Sequence, residues 1–230
     1  MHATHLEPPA EQGVHDGLAY ALFAPARDAV GGVVILHGAG SQKENHFDFS
    51  RACAVAGLAA VVFDQRGHGA SSGALDTCAL DDVATMAALL PEGPVALRGS
   101  SMGGWVALAA AATAGATAVV AICPASGEQL RRGLRERRWS VPVDEGALDR
   151  LFASVDLVAA ASALGAGLLL QHAEDDETVP VAHSRALHAA APGSTLDVAP
   201  GGDHRSVQHD AERQARAVAF IADRCEAAAA

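Results

Sequence analysis

The sequence predicts an α/β fold: a doubly wound, mostly parallel sheet with helices on both faces. Short apolar runs rich in β-branched residues end at glycine or a polar residue, as in "GGVVILHG" (31–38) and "AAVVFD" (59–64). Segments of helical period separate these runs, and strands alternating with helices imply parallel pairing. His37, Asp64, Ser101, Asp176 and His204 all fall just after predicted strands. In such sheets the carboxyl ends of the strands carry the ligand-binding loops, so these residues are expected on one edge.

The elements follow in order. "GLAYALFA" (17–24) reads as an opening strand and 31–38 as a buried one. Residues 45–57 read as a helix, with Phe47, Phe49, Ala52, Cys53 and Ala56 near helical spacing and Gly57 as its stop. The strand at 59–64 leads into a glycine-rich loop, "DQRGHGASSG". A helix is expected at 79–90, with Asp81 and Asp82 favourable to the dipole of its first turn. "PVALRG" (94–99) is the next strand, followed by a helix at 102–114 and a strand at 117–123. The uncharged run from Trp105 to Ala125 is as long as a membrane span, but it is mostly alanine. It lacks the large apolar residues that favour insertion, so helix, turn and strand explain it better. The rhythm breaks at 125–165, which reads as a short helical lid insertion. It resumes with strand 167–172, helix 180–191, strand 194–200 and a last helix at 206–226. The expectation is one domain over 1–230, with the insertion inside it.

Composition narrows the function. Half of the 230 residues are hydrophobic, enough for one substantial core. A formal charge of -11 argues against nucleic acid, whose phosphates need a basic face. Cys53, Cys78, Cys123 and Cys225 form no C-x-x-C pair and read as free thiols. The opening stretch "MHATHLEPPAEQG" has neither the basic nor the apolar region of a signal peptide, so a cytoplasmic protein is expected.

"GSSMGG" (99–104) fits G-x-S-x-G, with Ser101 in the central place and Ser100 beside it. A nucleophile on a sharp strand-to-helix turn needs small neighbours. A serine hydroxyl also needs a base to take its proton. His204 in "GGDHRS" is the candidate base, and the candidate acid lies in "AEDDETVP". The acid would orient the imidazole and stabilise its protonated form. Taken alone, Ser101 reads equally well as a helix N-cap; the downstream acid and base tip the balance. The chain order is Ser, Asp, His.

On these pieces the sequence resembles the α/β-hydrolase superfamily, near small bacterial esterases of the serine-aminopeptidase-like and cinnamoyl-esterase-like groups. The matching stretches are "LHGAG", "KENHFDFSRACAVAGLAAVVFDQRGHGASSG", "GSSMGG", "DDETVP" and "GGDH", in the expected order. The family's D-x-x-V-P pattern selects Asp176, leaving Asp175 as a loop residue that hydrogen-bonds the turn. The resemblance also implies an oxyanion hole made by the backbone N–H groups of Ala39 and Met102. It implies a carboxylic ester hydrolase that works through an acyl-enzyme, acts on a small-molecule ester and needs no cofactor or metal. Thioester, lactone, amide or peptide, and C–C substrates could use the same residues, and a non-catalytic receptor on this fold is the reading from another class.

The other polar residues receive plainer readings. His37 and His68 are expected to hold loops, and His172 to be structural. His183 and His188 read as surface residues, and His209 as lying one turn into the last helix. His2, His5 and His15 suggest no metal set. Arg131, Arg132, Arg135, Arg137 and Arg138 read first as a solvated helix balanced by Glu128 and Glu136, and second as a lid that attracts an anionic substrate. Leu134 and Trp139 are candidates for covering the acyl pocket.

Overall fold

The computed structural model describes residues 7–229. Eight strands form one sheet in the order β1-β2-β4-β3-β5-β6-β7-β8. They are β1 (Glu11–His15), β2 (Leu18–Phe23), β3 (Gly31–Leu36), β4 (Leu58–Phe63), β5 (Val95–Ser100), β6 (Ala116–Ile122), β7 (Leu168–Ala173) and β8 (Thr195–Ala199). The six strands from β4 to β8 across the sheet pair in parallel. Only β2 is reversed, pairing antiparallel with both β1 and β4. The doubly wound, mostly parallel sheet is therefore as expected from the sequence.

One strand escaped the sequence reading. β1, "EQGVH", is almost wholly exposed and carries no apolar run. Its signal was the turn after it: Asp16 and Gly17 have φ of 50° and 80°, the two left-handed residues of a tight hairpin. The opening strand at 17–24 is thus the second strand of a hairpin.

The eight helices described are α1 (Phe47–Val55), α2 (Asp81–Ala87), α3 (Met102–Ala110), α4 (Gly127–Arg135), α5 (Glu145–Ser154), α6 (Leu157–Leu164), α7 (Ala182–Ala190) and α8 (Ala211–Ala229). Strand alternation splits the core in two. Val34 and Leu36 of β3 face α2, α3, α6 and α7, while Val33 and Ile35 face α1 and α8. The 125–165 segment holds α4, α5 and α6. α6 packs on α3, α7 and β6, whereas α4 and α5 pack mainly on each other and join the main core through Leu130, Leu134, Leu148 and Phe152.

The last helix begins later than expected, at Ala211. Asp203 Oδ1 accepts the N–H groups of Arg205 and Ser206, and these local turns compete with helix. Asp210 Oδ1 then accepts the Arg213 N–H at 2.9 Å and starts α8. His209 accordingly precedes the helix rather than lying inside it. α2 is also shorter than expected, because Asp76 caps a separate short turn at Thr77–Ala79.

Candidate active site

Strand order reverses at β3, whose neighbours are β4 on one side and β5 on the other. The crevice at this switch point is where open α/β sheets bind ligands. The loop after β3 (His37-Gly38-Ala39) and the turn after β5 (Ser101) meet there. A Cβ added to Gly38 would lie 3.3 Å from Ser101 Cβ.

Ser101 has φ 54° and ψ -115°, a conformation that ordinary residues avoid. The surroundings hold it there. Its N–H donates to Ile122 O at 2.9 Å, and its carbonyl accepts from Ala125 and Trp105 at 3.1 Å each. Glycine at 99 and 103 is a steric requirement. A Cβ at Gly99 would fall 2.0 Å from Gly103 O, and one at Gly103 would fall 2.3 Å from Leu36 O. Ser101 stands at the N-cap position of α3, but its hydroxyl makes no capping bond. A strained serine that declines the cap is unlike an ordinary helix-start serine. Ser100 instead points to the other face, where its hydroxyl donates to Gln208 Oε1 at 2.9 Å.

Met102 is the first residue of α3, so its N–H has no acceptor within the helix. The Ala39 N–H likewise meets no protein acceptor among the described residues. The loop carrying Ala39 is held by two imidazoles. His37 Nε2 accepts the Gln65 N–H at 3.0 Å while Nδ1–H donates to Gly38 O at 2.8 Å. His68 Nε2 accepts the Gly40 N–H at 3.1 Å. Burial lowers His37 to about 4, so this ring is neutral and fixed in one tautomer. Beneath the loop, Asp64 is fully buried. It accepts from the Lys43 ammonium at 2.8 Å and from the backbone of Lys43 and Ala70.

Asp176 and His204 are in direct contact. His204 Nδ1–H donates to Asp176 Oδ2 at 2.6 Å. The other carboxylate oxygen accepts the N–H groups of Thr178 and Val179 at 2.9 and 2.8 Å. Burial by itself would raise the Asp176 carboxyl. The bonds from His172, His204 and Val179 outweigh it and hold the group well below the usual carboxylate range. The turn bonds expected of Asp175 are therefore made by Asp176, and Asp175 is exposed. His172 is fully buried. Its Nε2–H donates to Val179 O at 2.8 Å, with Asp176 Oδ2 a longer second contact at 3.4 Å. Ser184 secures its other nitrogen at 2.7 Å. The Ser101 hydroxyl makes no hydrogen bond to His204 among the described residues. It is reached through β6, to whose last residue its N–H is bonded.

Three residues differ from expectation or escaped it. His183 is half-buried rather than on the surface, and burial lowers its pKa. His188 is also partly covered, with Nδ1 2.7 Å from Ser194 Oγ. In the sequence Cys123 is only one of four free thiols. It follows β6 with φ 42°, and its sulfur lies beside Asp176 and His204. Burial pushes this thiol up to about 12. Nothing in the spacing of the four cysteines could reveal that proximity.

Three of the five arginines of the basic run, which spans α4 and the residues just after it, form ion pairs. Arg131 bonds Asp149 at 2.8 Å, Arg135 bonds Glu128 at 2.8 Å and Arg138 meets Glu136 at 2.5 Å. Leu134 is buried, and the Trp139 ring lies 6.0 Å from that of Phe152, which packs edge-on against Trp105.

A family model described as "Serine aminopeptidase, S33" matches residues 27–143, just over half of the chain. The chain belongs to this hydrolase family. The match covers the β3 loop, the Ser101 turn and part of the 125–165 segment. No protein of curated function matches the sequence. Solved α/β-hydrolase structures are similar in fold at low identity. The Paleococcus ferrophilus monoacylglycerol lipase superposes with a TM-score of 0.73 at 19% identity, over 90% of this chain and 99% of that one. Est1E of Butyrivibrio proteoclasticus, solved with ferulic acid, gives 0.70 at 18%, over 93% and 97%. A thermostable carboxyl esterase of Bacillus coagulans, solved with glycerol, gives 0.70 at 15%, over 96% and 99%. Among the described residues of this hydrolase no helix is long and apolar enough to cross a membrane.

Proposed function

We propose that this hydrolase cleaves carboxylic esters of small molecules through an acyl-enzyme, with Ser101 as nucleophile, His204 as base and Asp176 as the acid that orients it. The observation that carries the reading is the 2.6 Å His204–Asp176 bond, set at the same sheet edge as a strained, uncapped serine. With Nδ1–H committed to Asp176, the free lone pair of His204 is on Nε2, the nitrogen available to a serine proton. The reaction requires the Ser101 hydroxyl to come within hydrogen-bond reach of Nε2, and such bonds commonly tighten only when substrate binds.

The steps follow from these groups. Ser101 Oγ attacks the ester carbon as His204 takes its proton. The carbonyl oxygen becomes an oxyanion and is held by the N–H groups of Ala39 and Met102, which have no other partner among the described residues. The imidazolium, stabilised by the Asp176 carboxylate, returns the proton to the leaving alcohol. Water then enters, His204 takes one of its protons, and the acid is released. No step calls for a cofactor or a metal. α4 and α5 act as the lid, with Leu134 and Trp139 toward the acyl group. The free cysteines accord with a reducing, cytoplasmic setting.

Hydrolysis of p-nitrophenyl esters from acetyl to dodecanoyl, by the protein and by its Ser101→Ala variant, tests the reading. Activity that peaks at short chains and vanishes in the variant is expected. Equal hydrolysis by both proteins would overturn it.

A further inference from the structure

The end of β6 brings a third donor to the acid–base pair. The Cys123 sulfur, an Asp176 carboxylate oxygen and a His204 ring nitrogen all lie within 4.8 Å of one another. Cys123 and Asp176 are 1% and 6% exposed, and the His204 side chain is 18% exposed. The cluster is therefore mostly shielded from water but open on the His204 side. Cys123 holds its place through a left-handed backbone (φ 42°) and a 2.8 Å bond from its N–H to Gln171 O.

We propose that Cys123, Asp176 and His204 form an inhibitory site for a zinc-like divalent cation. The donor set is one sulfur, one imidazole nitrogen and one carboxylate oxygen. Such a set suits Zn²⁺ or Cd²⁺ and disfavours Mg²⁺ and Ca²⁺, which want oxygen. Zinc bonds of about 2.0–2.3 Å place tetrahedral donors roughly 3.3–3.6 Å apart. Reaching that spacing needs the His204–Asp176 contact to open and the thiol to approach, each by side-chain rotation. Three protein donors leave the fourth position to water, on the exposed side.

Charge balances. The cation displaces the thiol proton to solvent and forms a Zn–S bond, while the carboxylate and neutral imidazole bind without further loss. A charge of +2 then meets two negative ligands, so the buried site is neutral, as a low-dielectric setting requires. Whichever ring nitrogen binds, the imidazole's one lone pair is occupied. That is the lone pair required to take the Ser101 proton, so binding stops hydrolysis reversibly. The inhibition rests on the proposed function; the binding does not.

The experiment has two readouts on protein stripped with EDTA. Co²⁺ is titrated first, and the thiolate-to-cobalt charge-transfer band is followed. Zn²⁺ is then titrated against p-nitrophenyl acetate hydrolysis. A one-to-one cobalt band is expected in the Cys78→Ser background, which removes the exposed thiol, and is expected to vanish on adding Cys123→Ala or Cys123→Ser. Zn²⁺ should abolish hydrolysis, EDTA should restore it, and the Cys123 variants should need roughly 10–100-fold more Zn²⁺. No cobalt band from an active enzyme, or unchanged Zn²⁺ sensitivity in both Cys123 variants, would overturn the proposal. A band from a protein that hydrolyses no ester would uphold the site and overturn the function instead.

Discussion

His172 faces Asp176 at 3.4 Å, so the acid stands between two imidazoles, only one of which reaches the sheet edge. His172 is sealed in the core and spends its hydrogen bonds on Val179 and Ser184. His204 is partly open and spends only Nδ1. The same carboxylate therefore meets a core imidazole on one side and the proposed base on the other, while its second oxygen holds the loop through Thr178 and Val179. Replacing Asp176 by asparagine should lower kcat by about 10³–10⁴-fold with little change in KM, through loss of the imidazole's tautomer and of the charge opposite it. Asp175→Asn, at an exposed position, should leave kcat unchanged. Steady-state kinetics on p-nitrophenyl acetate separates the two; equal losses would refute the assignment of the acid.

Ser101 is held at φ 54°, which costs an ordinary residue on the order of 1–3 kcal/mol. Ser101→Gly should abolish hydrolysis yet raise stability by about 1 kcal/mol, since glycine tolerates that backbone. Ser101→Ala should abolish hydrolysis with no such gain. Urea unfolding of the three proteins decides it. A glycine variant less stable than the alanine one would mean that the turn stores no strain.

His37 carries a pH prediction. Its ordinary pKa is near 6.5, and burial lowers it to about 4 in the folded protein. Between those values the unfolded chain binds a proton that the folded chain refuses, so stability must fall as pH falls. From pH 7.5 to pH 5 the loss should be about 2 kcal/mol, and buried His46, also lowered, adds in the same direction. The depressed Asp176 and Asp64 carboxyls act the same way, but at more acid pH, near and below the ordinary carboxylate range. His37→Asn should flatten the profile while weakening the loop at pH 7.5. Urea midpoints at the two pH values measure both, and a flat wild-type profile would contradict a neutral, buried His37.

Gly103 offers a steric test. A methyl group there would sit 2.3 Å from the Leu36 carbonyl, and backbone cannot yield as a side chain can. Gly103→Ala should cost roughly 3 kcal/mol or more and disturb the Met102 N–H. Gly40→Ala, in open space but at φ 70°, should cost about 1 kcal/mol from backbone strain alone. Thermal unfolding of both variants gives the comparison. Similar small losses would mean that α3 packs less closely on β3 than the structure has it.

Much of the fold was legible because a parallel strand buried on both faces writes itself as a continuous apolar run. β3, β4 and β6 are the clearest such runs; β5 and β7 start apolar but carry buried polar residues, Arg98 and Ser100 in one and Gln171 and His172 in the other. β1 was not legible, since an exposed edge strand has no apolar pattern to show. The start of α8 was misplaced because "DHRSVQHD" suits helix by composition, while Asp203 side-chain bonds bend it into turns. Asp175 and Asp176 are neighbours of one type, and local pattern separates them only through the spacing to Val179 and Pro180.

Chain order, periodicity and small residues in "GSSMGG" determined by themselves that a serine turn, an acid and a histidine follow three strands of one α/β sheet, β5, β7 and β8. Those are local properties, written in windows of a few residues. Tertiary structure decided what depends on distance between remote segments. It set that His172 and His204 flank one carboxylate, which imidazoles brace the Ala39 loop, and that Cys123 lies against Asp176 and His204. Such contacts follow from the twist and register of eight paired strands, a collective outcome of packing that no single stretch encodes.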